Sequence, residues 1–397
     1  MKYVKLQEIV DIVRGVTFSK SEGAALPDEN RYPVIRAGSI QNKLLVNEDQ
    51  IWVLKEKIKQ SQLIRKNDII MCTSSGSADL VGKCAISPSD FDISFGAFCA
   101  GLRPIENKVI PSFLFHYLRS PAFRNWSKNA GGANIKNLRI SELADFEILL
   151  PSLEEQKRIA AILDKADAIL QKRQQAIALA DDFLRSVFLD MFGDPIANPK
   201  KWDMQPIGKL LQIKHGFAFK SEFFTSKGEY ILMTPGNFFE SGGYRNRQEK
   251  QNYYNGNIPD GYILNAGNLL VAMTEQATGL LGSCLVVPDA GKFLHNQRLG
   301  LLKFNQDELT PEYLYYLFNN ESVRQAIQVS ATGTKVRHTS PNKIEEIISI
   351  VPDIKTQVRF SEIVQFIAKV KNNLEPSESE SKILFNSLSQ KAFSGQL

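Results

Sequence analysis

Two loops of the chain gather side chains whose hydrogen-bonding groups match the edges of nucleobases. The first is Thr73-Ser74-Ser75-Gly76-Ser77, with Thr274-Glu275-Gln276-Ala277-Thr278 as its counterpart in the second half; each lies between a strand-like run and a glycine. Arg and Lys suit guanine, Asn and Gln suit adenine, carboxylates suit the cytosine amino group, and Ser and Thr are versatile. The second loop is Gly131-Gly132-Ala133-Asn134-Ile135-Lys136-Asn137-Leu138-Arg139, matched by Thr332-Gly333-Thr334-Lys335-Val336-Arg337-His338. Glycine lets backbone approach closely, and the Lys, Arg and Asn side chains suit phosphate oxygens. Further candidates of the same chemistry are Lys20, Lys220, Arg36, Asn237 and the pair Asn296 with Arg298. Each loop also has a plain reading, as a tight turn or a solvated connection. The run Lys55 to Lys66 reads as a solvated face, with sequence-independent attraction to a polyanion as its other reading.

Catalytic constellations do not emerge. The chain has no G-x-x-x-x-G-K-[ST] phosphate loop, no G-x-G-x-x-G, no G-x-S-x-G elbow, no H-E-x-x-H, and no Asn-Pro-Pro-Tyr type motif of amino-methyltransferases. The four histidines, His116, His215, His295 and His338, stand far apart, and His116 reads as a packing or surface residue of a helix. Cys72, Cys84, Cys99 and Cys284 show no C-x-x-C spacing, so buried reduced thiols are expected, with neither a disulfide framework nor a metal site. Glu154-Glu155 opens a helix, where the dipole accounts for both carboxylates.

With 397 residues, 43% hydrophobic and 23% charged, the chain has room for two or three globular domains. Its net charge of +5 permits a polyanionic partner without requiring one. No apolar run approaches the ~18 residues of a membrane span, and charged residues interrupt the N-terminus, so an intracellular protein is expected.

An internal repeat organises everything else. Gly15-Val16-Thr17-Phe18-Ser19-Lys20-Ser21-Glu22 recurs as Gly216-Phe217-Ala218-Phe219-Lys220-Ser221-Glu222, and Gly82-Lys83-Cys84 recurs as Gly282-Ser283-Cys284. Pro111 to Leu118 matches Pro311 to Phe318, and Pro151 with Gln156 matches Pro352 with Gln357. One order at a nearly constant offset identifies a tandem duplication.

Tyr32–Ile35, Asp68–Cys72 and Phe146–Leu150 read as strands, and the segments after Pro111 and Pro311 as helices. From Glu154 to Phe192 there is neither Gly nor Pro, which predicts one long helix. Ile159, Ile162, Ala166, Ile169, Ala176, Ala180, Phe183 and Val187 form its seam, with Arg173 at a polar position. The second copy offers Phe360, Ile363, Ile367, Val370, Leu374, Leu384 and Leu388, with Pro376 predicting a kink or interruption. Charged residues outside the seam, among them Lys157, Arg158, Lys165, Lys172, Asp181 and Asp182, read as solubility or partner docking.

The junction Ile148-Leu149-Leu150-Pro151-Ser152-Leu153-Glu154-Glu155-Gln156 and the ending Ala392-Phe393-Ser394-Gly395-Gln396-Leu397 resemble the specificity (S) subunit of type I restriction-modification enzymes. In that family L-P-x-L-x-E-Q leads from a recognition domain into a conserved helix, and A-F-x-G-x-L closes the second helix. The second junction, Pro352-Asp353-Ile354-Lys355-Thr356-Gln357, departs by lacking the Leu and Glu. The resemblance implies an α/β (α+β) fold with pseudo-twofold symmetry. Its domains would be target recognition domain 1 at 1–150, spacer helix 1 at 151–193, target recognition domain 2 at 194–352 and spacer helix 2 at 353–397, the helices forming an antiparallel coiled coil. It also implies a cytoplasmic, non-catalytic reader of double-stranded DNA with a split recognition sequence. Its partners would be modification (methyltransferase) and restriction (nuclease and translocase) subunits, which would hold the S-adenosylmethionine, ATP and Mg. Two other readings are a duplicated interaction scaffold without a DNA role, and a hydrolase with an unfamiliar site.

Overall fold

A computed structural model describes the chain except residues 1, 78, 130–135, 277–278, 289–291, 395 and 397, and only the backbone at 136, 374–382 and 384. The chain forms two compact units, one of 1–175 with 375–397, the other of 176–374.

The units share a topology. In the first, an antiparallel sheet runs in the order Val10–Arg14, Cys99–Pro104, Ile69–Cys72, Cys84–Ile86; in the second the order is Leu211–His215, Leu299–Phe304, Leu269–Ala272, Cys284–Val286. A second sheet follows in each, mixed because Arg31–Ile35 pairs parallel with Ser94–Phe95, and Tyr230–Met233 with Phe293–His295. The first and last strands of each repeat also pair, Lys2–Lys5 with Glu147–Leu150 and Asp203–Pro206 with Ile348–Val351.

Ile69–Cys72 is apolar throughout because both its faces are covered. Alternate residues of a strand point to opposite sides, so Ile69 and Met71 enter the core shared with the helices, and Ile70 and Cys72 enter the core between the sheets. Leu269–Ala272 divides its side chains in the same way. All four cysteines are buried and free, and burial pushes the Cys84 thiol up to about 12.

The helices of the first repeat are α1 (Pro111–Arg119), α2 (Pro121–Asn129), α3 (Ile140–Asp145) and α4 (Leu153–Phe192); those of the second are α5 (Pro311–Phe318), α6 (Glu321–Ser330), α7 (Pro341–Glu345) and α8 (Ile354–Phe393). Proline opens α1, α5 and α7 at the position where its missing N–H is harmless. The start of α4 and the end of α8 belong to the first unit; the end of α4 and the start of α8 belong to the second.

Two expectations change here. Helix α8 continues through Pro376 without interruption. Proline removes one amide donor, and the surrounding ladder keeps the helix intact. The buried stripe of α4 also differs from a single seam: it comprises Ile159, Ala160 and Leu163 in the first unit, and Leu184, Phe188 and Phe192 in the second. Ile169 and Phe183 are half exposed, and Val370 of α8 is exposed. Each helix end packs on a globular domain, so the stripe turns toward that domain. Leu374 and Leu384 have no described side chains.

The glutamine of the junction motif has a structural task. Gln156 is buried; its Oε1 accepts from the Ile110 amide at 2.8 Å and its Nε2 donates to the Pro151 carbonyl at 3.0 Å. Gln357 repeats this, accepting from Thr310 N at 3.0 Å and donating to Pro352 O at 2.9 Å. One side chain thus ties the start of a long helix to the loop entering α1 or α5. Gln357→Ala is expected to destabilise the second unit by about 2 kcal/mol, because it strands buried backbone groups. An unchanged urea midpoint contradicts this assignment.

Candidate nucleic-acid interface

The two polar loops of each repeat form one ladder. Lys136–Asn137 pairs antiparallel with Ser74–Ser75, and Arg337–His338 pairs antiparallel with Thr274–Glu275. The backbone also resets the alignment between the copies. The Cys72 and Ala272 carbonyls accept from Gly82 and Gly282, and the Thr73 and Met273 amides donate to the carbonyls of Phe98 and Arg298. Ser74, rather than Thr73, is therefore the counterpart of Thr274.

Thr73 is buried, its hydroxyl donating to the Phe98 carbonyl at 3.1 Å. Ser75 accepts from the Ser77 amide at 3.1 Å, while Ser77 and Asn137 are exposed. Arg139 is exposed at the start of α3, where its amide donates to Glu142 at 3.1 Å. Lys136 is described by its backbone alone, and Asn134 and Thr278 lie outside the described residues.

In the second unit the loop after Glu275 is gripped from both sides. The buried Glu275 carboxylate accepts from the amides of Gly279, Leu280 and Leu281 at 3.1, 3.0 and 2.9 Å, and pairs with Arg337 at 3.2 Å. The buried Arg324 donates to the carbonyls of Gly279, Leu281 and Glu240. In the first unit Arg124 takes the carbonyls of Val81 and Asp79 at 2.7 and 2.6 Å, and Ser75 stands where Glu275 does. Sequence reasoning missed both arginines; their matched places in α2 and α6 were the available signal. Glu275, expected as a base reader, is withdrawn from the surface by the amides it collects.

Thr234, Arg245, Arg247, Thr274, Gln276 and Arg298 line a cleft of about 800 Å³ in the second unit, with Glu240 at its side. Among the described residues, the guanidinium groups of Arg245, Arg247 and Arg298 have no ion-pair or hydrogen-bond partner. Thr274 is buried, with its hydroxyl 3.1 Å from His338 Nδ1; Gln276, Lys335 and His338 are exposed.

Other candidates fall elsewhere. Asn237 is fully buried, donating to Gln251 Oε1 at 2.9 Å and accepting from Thr234 N at 3.0 Å, so its amide holds a turn. Asn296 is buried and accepts from the Arg298 amide at 3.0 Å. Arg36 pairs with Asp49, Lys220 lies 3.8 Å from Glu222, and Lys20 is exposed. His116 is buried with its Nε2 2.7 Å from Asp164 Oδ1, and burial pushes the His295 imidazole down to about 4. Among the described residues no group of three or more His, Cys, Asp or Glu is placed to hold a metal ion. No described helix is long and apolar enough to cross a membrane.

The family described as type I restriction modification DNA specificity domain matches residues 1–179 and 199–383. The type I restriction enzyme StySPI specificity subunit of Salmonella potsdam is 26% identical over 98% of this chain and 87% of its own. The EcoKI specificity subunit of Escherichia coli (strain K12) is also 26% identical, over the same shares. In fold, the chain resembles the type I restriction-modification S subunit from M. genitalium with a TM-score of 0.55 and 16% identity, covering 99% of this chain and 96% of that one. A chain from a structure of type I restriction-modification complex assembly gives a TM-score of 0.52 at 18% identity, covering 100% of this chain and 98% of that one. With both repeats matched, each carrying the paired loops, this chain belongs to the type I restriction modification DNA specificity domain family.

Proposed function

We propose that this chain is the sequence-reading, non-catalytic subunit of a type I restriction-modification enzyme, in which each repeat binds one half of a split double-stranded DNA target. Residues 1–150 and 194–352 act as the target recognition domains, and the helical segments 151–193 and 353–397 as the spacer that sets the gap. The modification subunits, and restriction subunits where present, dock on this frame and hold the S-adenosylmethionine, ATP and Mg. The observation that carries this reading is the loop ladder built twice on one backbone with different side chains. Shared scaffolding with divergent polar tips is what two half-sites of different sequence require, since base edges carry the sequence information and phosphates do not.

The test is co-expression with the modification subunits in a host lacking adenine methylation, followed by single-molecule sequencing for modified bases. A split motif is expected, one half of which is lost when the corresponding repeat is exchanged for that of a relative. Binding of the assembled complex should also weaken steeply with salt. A folded, partner-bound chain that yields no modified motif and no salt-dependent DNA affinity is the outcome of a scaffold without a DNA role.

A further inference from the structure

The three unpartnered arginines of the second unit's cleft sit on firmly held backbone. The Arg245 amide donates to Asn237 O at 2.7 Å, and the buried Asn237 side chain reaches back to Arg245 O at 3.4 Å. Arg247 lies over Gly236, where a Cβ would meet its guanidinium at 3.2 Å. Arg298 occupies a turn closed by Leu299 N to Asn296 O at 3.0 Å, by its own amide to Asn296 Oδ1 at 3.0 Å, and by Met273 N to Arg298 O at 3.0 Å.

The same turn exists in the first unit. Cys99 N donates to Gly96 O at 2.8 Å and Thr73 N to Phe98 O at 2.8 Å. Parallel bridges join Val16 to Gly96 and Phe217 to Asn296 at the base of the two turns. Phe98 is therefore the counterpart of Arg298, and it stands 69% exposed. An apolar ring of that size left in water on a fixed turn is unexplained by packing. By the matched bonds Leu45 N to Ser39 O and Arg245 N to Asn237 O, the counterparts of Arg245 and Arg247 are Leu45 and Asn47.

That divergence separates two roles. Phosphates are alike in every sequence, so a residue that only holds phosphate is needed in both halves. A position that is arginine in one half and phenylalanine in the other, on the same turn, varies with the bases it faces. An arginine fork with no protein partner matches O6 and N7 of guanine.

Resting on the DNA-reading function proposed above, we infer that the 98/298 turn tip is a base-reading position in both units, with Arg298 specifying a guanine in the second half-site and Phe98 making apolar base contact in the first. Gln276 lines the same cleft and is exposed.

The experiment compares the modified motifs of the wild-type chain, Arg298→Gln, Arg298→Lys and Phe98→Arg, each co-expressed with the modification subunits. Thermal unfolding of each variant checks that it is folded; both side chains are exposed, so unchanged midpoints are expected. Arg298→Gln is expected to lower modification of wild-type sites at least ten-fold and to relax or change one guanine in one half of the motif, leaving the other half intact. Arg298→Lys keeps the charge and loses the fork, and is expected to lose the same guanine preference. Phe98→Arg should change a position in the opposite half. A wild-type split motif that Arg298→Gln and Arg298→Lys both preserve overturns the inference and leaves the DNA-reading function standing. Full activity of Arg298→Lys with loss only in Arg298→Gln makes the residue a phosphate contact and also overturns it. Absence of any wild-type motif removes the DNA-reading function and this inference together.

Discussion

Arg324→Ala is expected to destabilise the second unit by about 3 kcal/mol, since it strands buried carbonyls at about 1–3 kcal/mol apiece. Arg324 is buried and donates to three carbonyls, those of Gly279, Leu281 and Glu240, and its loss leaves each without its donor. The Glu275 carboxylate, which gathers the amides of the same loop, also loses the positive charge beside it. Arg324→Lys should rescue little, because an ammonium cannot span carbonyls on two separate segments as a planar fork does. Arg124→Ala should cost less, since Arg124 holds two carbonyls and has Ser75 where Glu275 stands. Urea unfolding followed by Trp202 fluorescence, in a chain whose Trp52 and Trp126 are phenylalanine, reads the second unit, because Trp202 Nε1 donates to Phe192 O at 3.0 Å. Equal midpoints for Arg324→Ala and its parent contradict the assignment. Where the variant still folds in the cold, the function proposed above has one half of the target lose its sequence preference.

The grip on that loop shows where sequence reading stops. The duplication, the strands and both long helices are visible because they are written in local patterns: apolar runs, prolines at helix starts, and forty residues without a break in α4. The register of the paired loops is not. Thr73 and Thr274 share a letter, yet amide-to-carbonyl pairing across the sheet equates Ser74 with Thr274. Asn237 and Glu275 have the chemistry of base readers and are used internally, because nearby backbone donors take their oxygens first. Arg324 belongs to no motif, and only folding brings the loop, 45 positions away, against it. Phe98 gives no polar signal at all, and only its backbone equivalence to Arg298 marks it. Side-chain type announces chemistry, while fold decides whether that chemistry faces outward.

Phe360→Ala is the second large effect expected. Phe360, at the start of α8, is fully buried with ring centroids 5.6 Å from Phe188, 5.4 Å from Phe192 and 5.2 Å from Tyr316. Its neighbours come from the end of α4 and from α5, so this one ring joins both long helices to the globular part of the second unit. Truncating a buried phenylalanine costs about 3–5 kcal/mol through lost transfer energy and the cavity left behind. Phe393, at the end of α8, packs on Phe113 at 5.6 Å and Tyr117 at 4.8 Å but is only half-buried, so Phe393→Ala should cost less. Phe360→Leu keeps most of the volume and should recover most of the loss. The same Trp202 measurement ranks Phe360→Ala against Phe360→Leu, while Trp126 fluorescence, in a chain whose Trp52 and Trp202 are phenylalanine, reads Phe393→Ala in the first unit; an effect of Phe393→Ala there as large as that of Phe360→Ala on the second unit contradicts the argument. Modification of the split target tests the consequence. On the function proposed above, in which the long helices set the gap between half-sites, a chain with this joint cut should support modification of its target poorly even at temperatures where it remains folded.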